Sequence, residues 1–285
     1  MVEPLDSQTE QLIERALAED LGQGDVTTET LVQNNQQGKA ILLAKAKGVV
    51  AGAEIAKQIF LKVDPELKVD ILIADGTPIV PGNVIVTIKG RTASILKAER
   101  VALNFLQHLS GIASETARYV ETVKGLRVRI TDTRKTTPGL RAPQKYAVWI
   151  GGGKNHRMHL GDGILIKDNH LLALRSQGLS MKEIIAKARQ KATDKLTVEI
   201  EVKTLQEAAE AAEAGANIIM LDNMSLEDMR QAVKLIGGRA LVEASGGITL
   251  ERIRAVAETG VDLISVGALT HSVKALDISL ELETV

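Results

Sequence analysis

Cysteine is absent from all 285 residues, which excludes disulfides, thiolate metal sites and cysteine nucleophiles together. Aromatics are nearly absent too: Trp149, Tyr119, Tyr146, Phe60 and Phe105 are the whole set. A core must therefore rest on Ile, Leu, Val and Ala, and the stacking platforms that hold single-stranded nucleic acid are missing. No sign of charge dominates, since 35 Lys+Arg stand against 36 Asp+Glu for a net charge of −1, and a general nucleic-acid binder would be basic. No uncharged apolar run approaches membrane-spanning length, and the acidic, amphipathic start MVEPLDSQTEQLIERALAED has no basic region followed by an apolar block. The expectation is a soluble, cytosolic protein that binds neither nucleic acid nor membrane. At 285 residues and 45% hydrophobic, it is sized for two domains or for one barrel with additions.

What is there changes character along the chain. From Ser7 to Asp20, Leu12, Ile13, Ala16 and Leu17 recur at helical spacing, and LGQGDVTT then breaks the pattern. Between Gly38 and Lys97 come short β-rich runs, AILLAKAKGVVAG, LKVDILIA and NVIVTIKG, punctuated by Asp75-Gly76, Pro81-Gly82 and Gly90. ASILKAERVALNFLQHLSGIASETARYVETV reads as long helix, broken or bent near Ser110-Gly111. Strand candidates VRITDT, GILIKD, TVEIEV, NIIMLD, ALVEAS and DLISVG then follow, the later ones separated by helical LQEAAEAAEAG, LEDMRQAVKLIGG and LERIRAVAETG. That alternation predicts a parallel α/β architecture.

Asp132, Lys167, Glu201, Asp222, Ser245 and Gly267 stand at the strand ends, which in a parallel barrel converge on one mouth. An open doubly wound sheet would gather only some of them. The expected fold is a parallel α/β barrel domain over 110–270 with an N-terminal α/β sandwich domain over 1–109. The strand-like tail 271–285 is expected to return to the N-terminal sheet.

Cations crowd the stretch from Thr131 to His170: Arg134, Lys135, Arg141, Lys145, Lys154, His156, Arg157 and Lys167, in a setting rich in glycine and turns. In so neutral a chain this predicts a local site for an anion. SGGI (Ser245 to Ile248), expected to lead from a strand into a helix, and SVGAL (Ser265 to Leu269) follow the last two strands. Glycine loops there let backbone N–H groups approach a phosphate. Glu201 and Asp222 end consecutive strands, where two carboxylates suit magnesium and, through it, a polyphosphate; an ion pair with neighbouring Lys and Arg fits the same spacing. Glu199 faces the same way as Glu201 by strand period. His156 and His159 lie among cations without a carboxylate pair at ligand spacing, which favours hydrogen bonding over zinc. His108 and His170 read as structural, and His271 lies beside the second glycine loop.

DTRKTTPGLR, GGGKNHR, ILIKDNH, VEIEV, MLDN, EASGGI and SVGALTHS, with GDVTT and LKAERVALNFLQHLSGIA before them, together resemble the quinolinate phosphoribosyltransferase family over essentially the full chain. The resemblance implies transfer of phosphoribosyl from phosphoribosyl pyrophosphate to quinolinate with decarboxylation, giving nicotinate mononucleotide for NAD synthesis. It implies that Arg134, His156 and Arg157 bind quinolinate and that Lys135 and Lys167 complete the basic pocket. Either lysine suits stabilisation of developing charge or supply of a proton, and the sequence does not choose between them. It further implies that Glu201 and Asp222 position magnesium and the ribose-pyrophosphate, and that Ser245, Gly246, Gly247 and Gly267, with His271 beside them, serve the 5′-phosphate. Arg100 resembles an arginine that enters the site from the partner subunit, so a homodimer with shared sites is expected. Two other readings stay open: a related phosphoribosyltransferase, such as a nicotinate-specific enzyme or a molybdenum-locus homologue, and a non-catalytic metabolite-sensing barrel.

Overall fold

The computed structural model describes residues 7–191 and 196–284 and separates into two compact units. One draws on 1–117, 135–152 and 268–285, the other on 118–134 and 153–267. In the first, helix α1 (Ser7–Leu21) buries Thr9, Ile13 and Leu17, a stripe at four-residue spacing on one helix face. Helix α2 (Val26–Leu31) starts where Asp25 Oδ1 accepts the Thr28 N–H at 3.0 Å. Strands β1 (Gln37–Ala44) and β2 (Gly48–Val49), helix α3 (Ala53–Val63) and strands β3 (Lys68–Ile71), β4 (Pro78–Ile79) and β5 (Val84–Arg91) follow. Ile55, Ile59 and Phe60 of α3 and Ile85, Val86 and Ile88 of β5 are fully buried, each side chain contributing on the order of 1.5–3 kcal/mol.

Helix α4 (Thr92–Thr122) runs unbroken for 31 residues, so the expected break at Ser110-Gly111 does not occur, and a boundary between 109 and 110 falls inside a helix. The two residues serve packing instead. Ser110 Oγ accepts the Ala51 N–H at 3.0 Å, and a Cβ on Gly111 would stand 2.2 Å from the Lys274 carbonyl oxygen. A glycine there permits close approach of backbone to helix at a cost of about 1 kcal/mol in helix propensity.

The second unit takes strand β6 (Arg129–Thr131); helix α5 (Arg141–Ile150), next in the chain, belongs to the first unit. Then come β7 (Ile164–Ile166), α6 (Asp168–Arg175), α7 (Met181–Lys191), β8 (Val198–Val202), α8 (Leu205–Glu213), β9 (Ile218–Asp222), α9 (Leu226–Ile236), β10 (Leu241–Ser245), α10 (Ile253–Ala257) and β11 (Leu263–Ser265). All six strands fall where the apolar runs predict them, and they pair in parallel in the order β6-β11-β10-β9-β8-β7. A single parallel bridge, Thr131↔Lys154, extends the wall beyond β6, and no ladder among the described residues joins β7 back to β6. The barrel wall is thus open at one seam. Thr204 and Ser225 cap α8 and α9, their hydroxyls accepting from Glu207 N and Asp228 N at 3.1 Å each, which fixes where each helix leaves its strand.

Helix α11 (Ala268–His271) and strand β12 (Ile278–Thr284) return to the first unit. β12 pairs antiparallel with β1 from Gly38↔Thr284 to Ala44↔Ile278, making the sheet β12-β1-β5-β3. Among the described residues no helix is long and apolar enough to cross a membrane.

Candidate active site

The barrel's cations are arranged by one buried carboxylate. Asp132, directly after β6 and fully buried, accepts the His156 N–H at 2.9 Å and Asn155 Nδ2 at 2.7 Å, while its own N–H donates to the Lys154 carbonyl at 3.1 Å and the Lys154 N–H donates to the Ile130 carbonyl at 2.8 Å. Lys154 is thereby joined to β6 through the isolated bridge with Thr131, and Asn155 and His156 are held on Asp132 just before Arg157, whose charge and that of Arg134 act on each other. Burial, and then the charge of Arg134, hold the Arg157 guanidinium below its ordinary range. Arg157 Nη1 donates to the Gly163 carbonyl at 3.0 Å, whereas Arg134 Nε is buried without a hydrogen-bond partner. Two guanidiniums, one with an idle buried donor, call for an anion with more than one carboxylate or phosphate group.

His156 turns its ring inward. Nε2 lies 3.2 Å from Glu199 Oε2 and 3.6 Å from Glu243 Oε2, and Nδ1 accepts the Arg157 N–H at 2.9 Å. Burial works against a charged ring, yet the two carboxylates raise its pKa to about 10. The backbone bond opposes this, because a protonated Nδ1 would face the Arg157 N–H donor to donor. Burial likewise pushes the Glu199 carboxyl above the usual range. Glu199 Oε1 and both carboxylate oxygens of Glu243 have no hydrogen-bond partner.

A second group gathers at the strand ends. Burial first, then the charge of Asp222, push the Glu201 carboxyl up, while Lys167 and Lys203 act the other way. Lys203 Nζ is paired with Asp168 Oδ2 at 2.9 Å, and Lys167 is exposed, its N–H donating to His170 Nδ1 at 2.9 Å. Ser245 ends β10 beside Asp222. Gly246 and Gly247 follow with φ of +92° and +58°, and a Cβ on Gly246 would stand 2.2 Å from Asn223 Oδ1. Asn223 has φ of +54° and donates its N–H to the Ser245 carbonyl at 2.9 Å. SGGI does not open onto a helix as expected: Thr249 accepts from Arg252 N and Ile253 N, so a turn intervenes and α10 begins only at Ile253. The loop thus leads from β10 into a turn, not into a helix end.

Comparison with known proteins decides the family. The model of the quinolinate phosphoribosyl transferase N-terminal domain matches residues 25–110, and that of the C-terminal domain matches 112–281. The chain belongs to the quinolinate phosphoribosyltransferase family. It is 44% identical over 274 residues to a probable nicotinate-nucleotide pyrophosphorylase [carboxylating] of Bacillus subtilis, covering 96% of this chain and 93% of that one. A chloroplastic nicotinate-nucleotide pyrophosphorylase [carboxylating] of Arabidopsis thaliana is 43% identical over 289 residues, with 96% and 82% covered. The crystal structure of NadC from Streptococcus pyogenes matches with a TM-score of 0.92 at 45% identity, covering 98% of this chain and 97% of that one. The two family models divide the chain beside Gly111, whereas spatial contacts assign residues up to 117, and 135–152, to the first unit.

That division splits the family's cation-rich stretch. Arg134, Lys154, His156, Arg157 and Lys167 lie in the barrel unit; Lys135, Arg141 and Lys145 lie in the other. Lys145 is fully buried on α5, a core position that charge counting along the sequence does not reveal. Lys135 is exposed, and its carbonyl accepts Thr270 Oγ1 at 2.8 Å. Gln144 fixes the same loop, accepting the Thr137 N–H at 3.0 Å and meeting His108 Nε2 at 2.9 Å. Arg100 is exposed on α4, with Glu99 Oε1 3.6 Å from its guanidinium. His271 ends α11, its Nδ1 2.6 Å from Ser272 Oγ. Ser245, Gly246, Gly247 and Gly267 are all in the barrel unit. Glu243 and Asn223 had no assigned role in the sequence; the only available sign was their position within ALVEAS and MLDN.

Proposed function

We propose that this chain catalyses the family's reaction, joining quinolinate to phosphoribosyl pyrophosphate and releasing pyrophosphate and carbon dioxide to give nicotinate mononucleotide. The observation that carries the reading is the pair Arg134 and Arg157, with Arg134 Nε buried and idle. Quinolinate is a planar dicarboxylate, and planar guanidinium forks hold its carboxylates by paired hydrogen bonds. Lys167 completes the pocket, and Arg100 enters from the partner subunit of a homodimer.

Orientation and charge stabilisation suffice for the chemistry. Held by its carboxylates, quinolinate presents its ring nitrogen, whose lone pair forms the new bond to the anomeric carbon as the bond to pyrophosphate breaks. The loop of Ser245, Gly246 and Gly247, with Gly267, holds the 5′-phosphate. The bond to the carboxylate next to the quaternary nitrogen then breaks, its electron pair staying on the ring carbon, where the adjacent positive charge stabilises it until a proton arrives. A lysine of the cation-rich stretch supplies that proton. Glu201 and Asp222 would suit magnesium: burial and then the charge of Asp222 push the Glu201 carboxyl up, and waters and substrate oxygens would complete the shell of an ion held there. Bound there, the ion would neutralise charge on the departing pyrophosphate.

A coupled assay tests the reading. The expected result is nicotinate mononucleotide and labelled carbon dioxide in equal amounts from carboxyl-labelled quinolinate, with no product from nicotinate. Consumption of nicotinate but not quinolinate would overturn it.

A further inference from the structure

Among the described residues, Asn223 is the one non-glycine residue in the left-handed region, at φ +54°. It follows Asp222 at the end of β9 and stands two residues before Ser225, which caps α9, so the chain turns from strand to helix within a very short span. Asparagine tolerates such a φ, but glycine would serve the turn as well. What asparagine adds is an amide, and that amide lies over the neighbouring loop. Asp222 and Ser245 are register partners in the parallel ladder, which the Asn223 N–H extends by one bond to the Ser245 carbonyl at 2.9 Å. Asn223 therefore stands beside Gly246. A Cβ on Gly246 would lie within 2.7 Å of Oδ1, Cγ and Nδ2 of Asn223, so the whole amide occupies the place of the missing side chain. Glycine is required at 246 twice over, by its φ of +92° and by the amide against it.

We infer that Asn223 is a positioning residue for the proposed reaction: through Gly246 it sets the distance between the loop of Ser245, Gly246 and Gly247 and the Asp222 carboxylate. This rests on the reading of that loop as the 5′-phosphate site. The loop cannot shift toward β9 without striking the amide, and it cannot shift away without breaking the bond from the Asn223 N–H to Ser245. Close-packed atoms transmit such a constraint without any hydrogen bond from the amide itself. Asp222 is the adjacent residue, so one short turn fixes how far apart the two ends of the second substrate are held. Placement on that scale matters, because a displacement of about 1 Å costs on the order of a hundredfold in rate.

Asn223→Gly separates the amide from the turn, since glycine keeps the left-handed backbone and the bond to Ser245. Calorimetry on the full-length protein compares nicotinate mononucleotide with its nucleoside, which lacks the phosphate. The variant is expected to lose about tenfold of the mononucleotide's advantage while the nucleoside binds within about twofold of its parental affinity. In steady-state kinetics, KM for phosphoribosyl pyrophosphate should rise about tenfold and KM for quinolinate stay within about twofold. An advantage within about twofold of the parent would make Asn223 a turn residue only, and equal losses for mononucleotide and nucleoside would mean general damage; either overturns the inference. A parent that does not prefer the mononucleotide would instead remove the phosphate reading, and the inference with it. A second measurement addresses the packing directly. Gly246→Ala is made in the parent and in Asn223→Gly: the backbone strain is present in both, the collision with the amide only in the first. The fall in thermal midpoint should be clearly smaller in the Asn223→Gly background. Equal falls would show that the amide does not hold that space, and the inference would fail.

Discussion

Arg134 is where charge and geometry separate most cleanly. Its Nε is buried without a partner, a position a lysine cannot reproduce because an ammonium offers a point charge where the fork offers paired donors. Arg134→Lys is expected to weaken quinolinate binding by tenfold or more in calorimetry, about 1.4 kcal/mol, despite the conserved charge. Affinity within about twofold of the parent would make Arg134 a solvated cation. This residue was legible in the sequence because cations are conspicuous in a chain of net charge −1. Glu243 was not. Its partnership with His156 joins residues far apart in sequence through strand order, which the run ALVEAS alone does not reveal. The ring orientation of His156 was equally hidden, since a histidine among arginines reads as one more cation until its Nδ1 is seen accepting a backbone N–H.

At the scale of elements, the barrel strands were legible because parallel strands buried on both faces appear as apolar runs with a polar terminus. The helix around Ser110-Gly111 was misread because a glycine that permits close approach looks the same in sequence as one that breaks a helix. Gly111→Ala separates the two. Helix propensity alone predicts a gain of about 1 kcal/mol, but a methyl 2.2 Å from the Lys274 carbonyl oxygen should cost more, on the order of 1–3 kcal/mol. A fall in the thermal midpoint of a few degrees is expected, and a rise would mean that the Lys274 segment yields freely. Neighbouring strand ends carry a second prediction. Glu201→Ala or Asp222→Ala should raise KM for phosphoribosyl pyrophosphate about tenfold or more and shift quinolinate affinity less than about threefold, as expected if the carboxylates serve magnesium. Unchanged turnover by both variants in the presence of a chelator would exclude that role.

For the whole molecule, the two spatial units interleave along the chain, with 135–152 and 268–285 returning to the unit that holds most of the first 117 residues. The return of the tail was foreseeable from its strand-like pattern. That of 135–152 was not, because a helix after a barrel strand ordinarily packs on the barrel. Arg100, exposed on α4, tests whether the working unit is a dimer. Mixing Arg100→Ala with Lys167→Ala chains should restore about a quarter of parental activity from two nearly dead variants, since about half of the dimers are mixed and each rebuilds one sound site. A mixture that stays dead after mass spectrometry has confirmed exchange would assign Arg100 to its own chain.

The pairing of β12 with β1 bears on how the protein is made. Lys45 and Glu281, which meet across the foot of these strands, are separated by 236 residues. On the ribosome, one edge of the first sheet therefore stays bare while the entire barrel is synthesised, an unpaired edge of the kind that invites association between nascent chains. A message truncated just after the barrel would damage the domain translated first, leaving a finished barrel attached to a sheet that lacks its outer strand.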